Sequence, residues 1–318
     1  MNRDILGVHH VTAIAGDPNR NIAFFSEILG LKLVKVTVNF DDPGTYHFYY
    51  GDEVGHPGTV LTFFPWPDAP RGRRGSGQAT AVTFGIPVGS MPFWVDRLRR
   101  HDVPVGQLTP RFNEEAVTFY DPDGLQLELV EAPENDARRN NHGSIPAEHG
   151  ITGIRGITLL ESSASETDSL LTGALGFHRL GREGNRTRYA AGPSGRATQV
   201  DLVHVPDGPP GAVAVGTVHH VAWRVADEER QKAWRKEIVD AGLNVTPIID
   251  RRYFKSIYFR EPGGVLFELA TDPPGFSIDE EPDNLGTRLV LPPWLEPERS
   301  KLEQRLPRLA LPKLGRAA

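Results

Sequence analysis

The residues with the most chemistry to offer are histidines that come in pairs. GVHHVTAI begins at residue 7 and TVHHVAWR at residue 217, so His9 and His10 are echoed by His219 and His220. Imidazole is the commonest metal ligand and titrates near neutral pH, so a repeated pair points to ligation or proton handling. The chain contains no cysteine, which removes thiolates and disulfides and leaves His, Asp and Glu as metal donors. A carboxylate keeps step with the second pair, because Glu268 stands 48 residues after His220. A lone strand histidine is more often a packed core residue; the echo and the matched carboxylate argue for more here.

These residues lie in a repeating frame. TFYDPDGLQLELVEA (118–132) lines up with YFREPGGVLFELATD (258–272), and each follows an apolar strand and a helical stretch, FWVDRLRRHDV or QKAWRKEIVDAG. That order is a βαβββ module. Residues 7–64 form another copy, whose helix is opened by Asp17 and Pro18 and ended by Gly30. Residues 152–205 form the remaining one. The repeat makes His10, Thr80, Gly156 and His220 equivalent at the entry strands, and Phe63, Glu128, a residue near Asp201, and Glu268 equivalent at the exit strands. The expected organisation is modules one and two over 5–150, modules three and four over 151–272, and a Pro-rich tail over 273–318 that packs on them. The polar stretch 131–150 reads as the linker.

Strand periodicity then selects a face. Val11, Ala13, Val221, Trp223, Phe267 and Leu269 are apolar and suit the helix-covered side, while His10, Thr12, His220, Arg224 and Glu268 share the opposite parity. Adjacent histidines cannot both face the cleft without a bulge, so His9 and His219 fall on the other face of a regular strand. If sheets form from pairs of modules, first with second collects His10 and Glu128, and third with fourth collects His220 and Glu268. First with fourth collects His10, His220 and Glu268, with Phe63 at the remaining position. Two histidines and one carboxylate with open positions suit a non-haem Fe(II) oxygenase. Glu128 reads as a solvated relic of the repeat. His47, His56, His101, His142, His149, His178 and His204 read as surface or loop residues.

Composition narrows the partners. A net charge of −6 with one short basic cluster, RGRRG at 71–75, argues for no nucleic acid. No apolar run is long enough to span a bilayer and MNRDILGVHH has no signal-peptide core, so the expectation is a cytoplasmic protein with no membrane partner. The composition is compatible with a homo-oligomer.

The modules and the His, His, Glu set resemble the vicinal oxygen chelate superfamily, which includes glyoxalases, bleomycin resistance proteins and extradiol dioxygenases. The resemblance implies an α+β fold of four βαβββ modules in two curved, mixed-sheet half-barrels, with the metal cleft between modules one and four. IYFREPGGVLFE (257–268) is similar to the extradiol ring-cleaving signature, with Tyr258 at its tyrosine and Arg251 where that signature places a histidine. VNFDDPGTYHFYYGDEVGHPGT (38–59), EGNRTRY (183–189) and GFSIDEEPDNLG (275–286) resemble the hydroquinone-cleaving members. That likeness implies His10, His220 and Glu268 as ligands of Fe(II) or Mn(II), and Tyr258, Arg251, His9, His219 and Thr12 as catalytic neighbours. It implies O2 and a small aromatic substrate. The rival readings are a glyoxalase-like metal-dependent isomerase or lyase, and a metal-free sequestering protein.

Overall fold

The computed structural model describes residues 5–133, 144–192 and 198–312; His142 and the centre of the expected linker lie outside them. The repeat is realised four times. Module one is β1 (Val8–Ala15), the helix α1 (Pro18–Ile22, continued by a π-turn to Ile28), β2 (Lys32–Asn39), β3 (Asp42–Gly51) and β4 (Val60–Pro65). Module two is β5 (Gln78–Ile86), α2 (Met91–Arg100), β6 (Thr109–Arg111), β7 (Glu114–Tyr120) and β8 (Gln126–Glu131). Module three is β9 (Gly153–Glu161), α3 (Ser165–Ser169, with a π-turn to Ala174), β10 (His178–Glu183), β11 (Arg186–Ala190) and β12 (Gln199–His204). Module four is β13 (Val218–Val225), α4 (Glu228–Asp240), β14 (Ile249–Asp250), β15 (Lys255–Arg260) and β16 (Leu266–Thr271).

Local chemistry sets these boundaries. The Asp17 carboxylate caps α1 by accepting the Arg20 N–H at 2.7 Å, with Pro18 pre-set for the first turn. Gly30, at φ 67°, takes the left-handed conformation that turns the chain into β2. In β3, Tyr46, Phe48 and Tyr50 enter the core by alternation, which sends His47 and Tyr49 to the other face. None of the described helices is long and apolar enough to cross a membrane.

Two eight-stranded mixed sheets result. One runs β14-β15-β16-β13-β1-β4-β3-β2 and unites modules four and one; the other runs β10-β11-β12-β9-β5-β8-β7-β6 and unites modules three and two. Each sheet therefore takes one module from 5–150 and one from 151–272. The antiparallel seam β1/β13 is the centre of the first sheet and β5/β9 the centre of the second.

The sheets meet at two related joints. At one, the turn between β7 and β8 brings Asp123 against Gly16, whose N–H donates to the carboxylate at 2.7 Å. At the other, the turn between β15 and β16 brings Gly263 against Glu161 at the end of β9. The glycine has changed sides, and at Gly263 a Cβ would lie 2.2 Å from the Glu161 carboxyl carbon. Glu161 is 0% exposed, beside Glu261, whose oxygens accept from Thr167, Gly263 and Val265. Burial, and then the neighbouring Glu261, push the Glu161 carboxyl up to about 8.

The segment after β16 covers the outer edge of the first sheet. Lys35 of β2, fully buried, donates to Asp279 at 2.6 Å and Glu280 at 2.5 Å, and the Val290 N–H donates to Val36 at 2.9 Å. Phe276 packs on Tyr49 and Tyr253, with ring centroids 4.9 and 5.1 Å away.

The joint carries a pH signature. Glu161 keeps its proton in the folded chain up to about pH 8 but loses it near pH 4.5 when unfolded, so folding takes up a proton between these values. Its stabilising contribution is full below pH 4.5 and is lost as pH rises through 8. Urea denaturation at pH 6 and pH 9 will show lower stability at the higher pH, and Glu161→Gln will flatten the difference; an unchanged slope in the variant would place the proton elsewhere.

Candidate functional site

The seam β1/β13 contains two irregularities that decide the site. Val8 pairs with Trp223 and His10 with Ala222, which leaves His9 as an extra residue; Thr12 pairs with His220 and Ala13 with Val218, which leaves His219 as an extra residue. Each histidine pair therefore sits at a bulge, and the bulges are related by the pseudo-twofold axis of the seam. A regular strand would send His9 and His219 to the helix side. Instead their Nδ1 atoms lie 2.9 and 2.8 Å from Nδ1 of His10 and His220, ring edge against ring face. The parity expectation for His9 and His219 is thus overturned by an extra residue in each strand.

His10, His220 and Glu268 converge from β1, β13 and β16. The two Nε2 atoms are 3.4 Å apart, and Glu268 Oε2 is 3.4 Å from His10 and 2.9 Å from His220. Donors at about 2.1 Å from one metal, at right angles to each other, stand about 3.0 Å apart. The triangle fits one face of a six-coordinate ion. Burial alone would raise the Glu268 carboxyl; the two imidazoles facing it hold it well below the usual range. Its other oxygen, Oε1, accepts from the buried Ser256 hydroxyl, which fixes the carboxylate rotamer.

Each outer histidine shares a hydrogen bond with its inner neighbour. Burial, then the adjacent His10 or His220, holds both His9 and His219 down at about 3, so both rings are neutral. A neutral His9 with its proton on Nε2 accepts at Nδ1 from His10 Nδ1–H. His10 Nε2 is then a bare lone pair. This is the hydrogen bond that commonly orients a metal-bound imidazole. His219 and His220 repeat the geometry.

The exit strands revise one equivalence. Ala222 pairs with Glu268 and Thr12 with Thr62, so Thr62 stands where Glu268 stands in module four. Phe63 pairs with Ala13 and packs in the core, 4.6 Å from the Phe25 ring. The sequence spacing placed Phe63 one residue out of register. Thr62 Oγ1 instead meets Thr12 Oγ1 and His47 Nε2, each at 2.8 Å.

A cavity of about 280 Å³ opens above the cluster, lined by His10, His219 and His220 and by Arg251, Tyr258, His47 and Tyr49. Phe40, Phe64, Trp66, Phe254 and Leu266 supply its apolar wall. Arg251 pairs with Asp41 at 2.9 Å, donates to the Tyr258 hydroxyl at 3.2 Å and is 17% exposed. Tyr258 pairs with Glu268 across β15/β16, and burial followed by that carboxylate raises its phenol above the ordinary value. Phe254 closes over His9 and His10, 5.1 and 5.0 Å away. Arg224, of the polar parity, leaves the cleft to form a bidentate pair with Asp272.

His47 was expected at the surface and is a cavity residue; burial, and then His10 and His220, hold it well below its ordinary value. The alternation of TYHFYY in β3 is the signal that places His47 and Tyr49 on the cleft side. Glu128, expected to be solvated, is 3% exposed and ion-paired to Arg111. In that second sheet Ala81, and not Thr80, occupies the place of His10.

The description glyoxalase/bleomycin resistance protein/dioxygenase superfamily matches residues 7–129 and 157–269. The chain is 46% identical over 307 residues to MhqO of Bacillus subtilis, named for a ring-cleaving dioxygenase, covering 96% of this chain and 97% of that one. It is 37% identical over 306 residues to the chlorohydroquinone/hydroquinone 1,2-dioxygenase of Sphingobium indicum, covering 93% and 94%. A crystal structure of a Bacillus subtilis protein named as a dioxygenase superposes with a TM-score of 0.94 at 45% identity, covering 98% and 99%. Glyoxalase I of Zea mays shares the fold at a TM-score of 0.62 and 15% identity, covering 84% and 92%. The chain belongs to the glyoxalase/bleomycin resistance protein/dioxygenase superfamily.

Proposed function

We propose that this chain is a non-haem Fe(II)-dependent dioxygenase of the extradiol type that inserts both atoms of O2 into the ring of a hydroquinone. The observation that carries the reading is the buried triangle of His10 Nε2, His220 Nε2 and Glu268 Oε2 at the floor of an aromatic-lined cavity. The names of relatives that span nearly the whole chain support it. Fe(II), or Mn(II) in its place, would supply the one-electron chemistry that brings dioxygen to a closed-shell ring.

The chain's own groups do the rest. His9 and His219 keep His10 and His220 in the ligating tautomer. His219, accepting at Nδ1, presents its Nε2–H, so it serves as a donor and not as the base. Tyr258, protonated at any working pH, donates to a ring oxygen. Arg251 cannot take a proton but, pinned by Asp41, it can hold an anionic ring oxygen. A catechol needs a base for its second, adjacent hydroxyl; a hydroquinone carries that hydroxyl across the ring, where a fixed cation suffices. Thr62, in the place of a fourth carboxylate, leaves coordination positions for substrate and O2. This favours oxygen chemistry over a glyoxalase-like isomerase, whose metal is commonly closed by a fourth protein ligand.

Three measurements test the assignment. Replacing His10, His220 or Glu268 by Ala will strip most of the metal, read by elemental analysis of anaerobically purified protein, while urea unfolding stays cooperative; stoichiometric iron in His10→Ala would sink the ligand set. Thr62→Glu will bind metal more tightly and consume little oxygen, because a fourth carboxylate takes an open position. Undiminished oxygen uptake in that variant would remove Thr62 from the cluster. In an oxygen electrode the parent will prefer hydroquinones to catechols, and Arg251→Ala will lose roughly 2–4 kcal/mol of transition-state stabilisation in kcat/KM on hydroquinone. A catechol preference would overturn the substrate class.

A further inference from the structure

The reaction above leaves one polar part of the cavity without a task. Tyr49 lines the cavity, 2% exposed, and its hydroxyl meets His47 Nδ1 at 2.9 Å. His47 Nε2 meets Thr62 Oγ1 at 2.8 Å, and Thr62 meets Thr12 at 2.8 Å. Both threonines are 0% exposed, so the run from the cavity wall to the sheet beneath the cluster is shielded from water. The rings are gripped as well. His47 lies against Tyr49 and Phe64, with centroids 4.0 and 4.3 Å away. Lys35 and Phe276 hold the outer wall behind Tyr49.

Counting protons allows this run two senses. A neutral imidazole has one N–H and one lone pair. With the proton on His47 Nδ1, that N–H donates to the Tyr49 oxygen and the tyrosine O–H must point elsewhere. With the proton on Nε2, it donates to Thr62, Tyr49 donates to Nδ1, and the tyrosine oxygen keeps a free lone pair. Either way Tyr49 has one unmet hydrogen bond. Tyr49 lines the same cavity as Tyr258, Arg251, His10 and His220, so its hydroxyl belongs to the pocket where the ring would react.

We propose that Tyr49, oriented by His47, is a second arm that hydrogen-bonds a hydroxyl oxygen of the aromatic substrate, its donor or acceptor sense set by Thr62 and Thr12 through the His47 tautomer. In this scheme Tyr49 touches substrate, while His47 and the threonines are positioning residues. The inference rests on the hydroquinone reading. It adds a grip on the ring that is separate from Arg251 and Tyr258.

Anaerobic titration calorimetry of hydroquinone into the metal-loaded protein tests it, with metal content and oxygen uptake measured in parallel. Tyr49→Phe and His47→Leu will each weaken hydroquinone binding about tenfold, the scale of one hydrogen bond, with metal content unchanged. The double variant will be no weaker than either single one, because the two residues act as a unit. Thr62→Val will weaken binding, and Thr62→Ser, which keeps the hydroxyl, will restore it. Parental affinity in Tyr49→Phe, or losses that add in the double variant, would overturn the arm. A parent that binds hydroquinone without consuming oxygen would overturn the dioxygenase reading, while a weakened Tyr49→Phe in the same experiment would still support the arm. A parent that binds no hydroquinone would overturn both.

Discussion

The site depends on one feature of the backbone, the pair of bulges at the β1/β13 seam. A strand has a side-chain period of two, so adjacent histidines belong to opposite faces. One extra residue at His9 and one at His219 bring four imidazoles to the same face. The inner pair then aims its Nε2 atoms at Glu268, and the outer pair meets the inner Nδ1 atoms at hydrogen-bond distance. The candidate cluster and the imidazoles that hold it therefore come from two dipeptides and two bulges. Only the pairing of module one with module four brings them together.

The second sheet shows that the fold alone does not make the site. Its seam has the same bulges, at Thr80 and Arg155, and its equivalent positions can be read from the register. Ala81 and Gly156 stand where the histidines stand, while Glu128 and Asp201 occupy both exit positions. Two buried carboxylates need a cation beside them. Arg111 meets Glu128, and Arg186 and Arg188 meet Asp201, so guanidinium groups fill the centre of the cleft. Buried charge is balanced in both sheets. In one the carboxylate faces two imidazoles at the floor of an open cavity, and in the other the balance is built from arginine side chains that fill the cleft.

Much of this is legible in the amino-acid sequence. The repeat gave module order, and the polar parity of His10, Thr12, His220 and Glu268 gave the cleft face, because strand alternation is a local rule that folding preserves. Register was harder. Phe63 reads as a cleft residue because a spacing measured along the sequence cannot see whether the intervening turns differ by one residue. A slip of one exchanges the two faces of a strand. Bulges are invisible for the same reason: HH in a strand is compatible with both faces until the partner's pairing is known. His47 was missed although TYHFYY alternates cleanly, since nothing in that stretch says which of its faces looks into the cleft.

The electrostatic logic of the cavity follows from the same placement. Every imidazole around the ligand triangle whose ionisation the surroundings clearly shift is held toward its neutral form, chiefly by burial. The phenols of Tyr49 and Tyr258 are pushed the other way and keep their protons. The wall thus offers oriented N–H and O–H dipoles rather than mobile charges, with Arg251 as its fixed cation. Such a site reorganises little when a phenol ionises within it, because the donors are already in place and cannot change charge themselves. An aromatic ring whose two oxygens lie at opposite ends is what a cavity of fixed dipoles with a single permanent cation in its wall can read differently at each end.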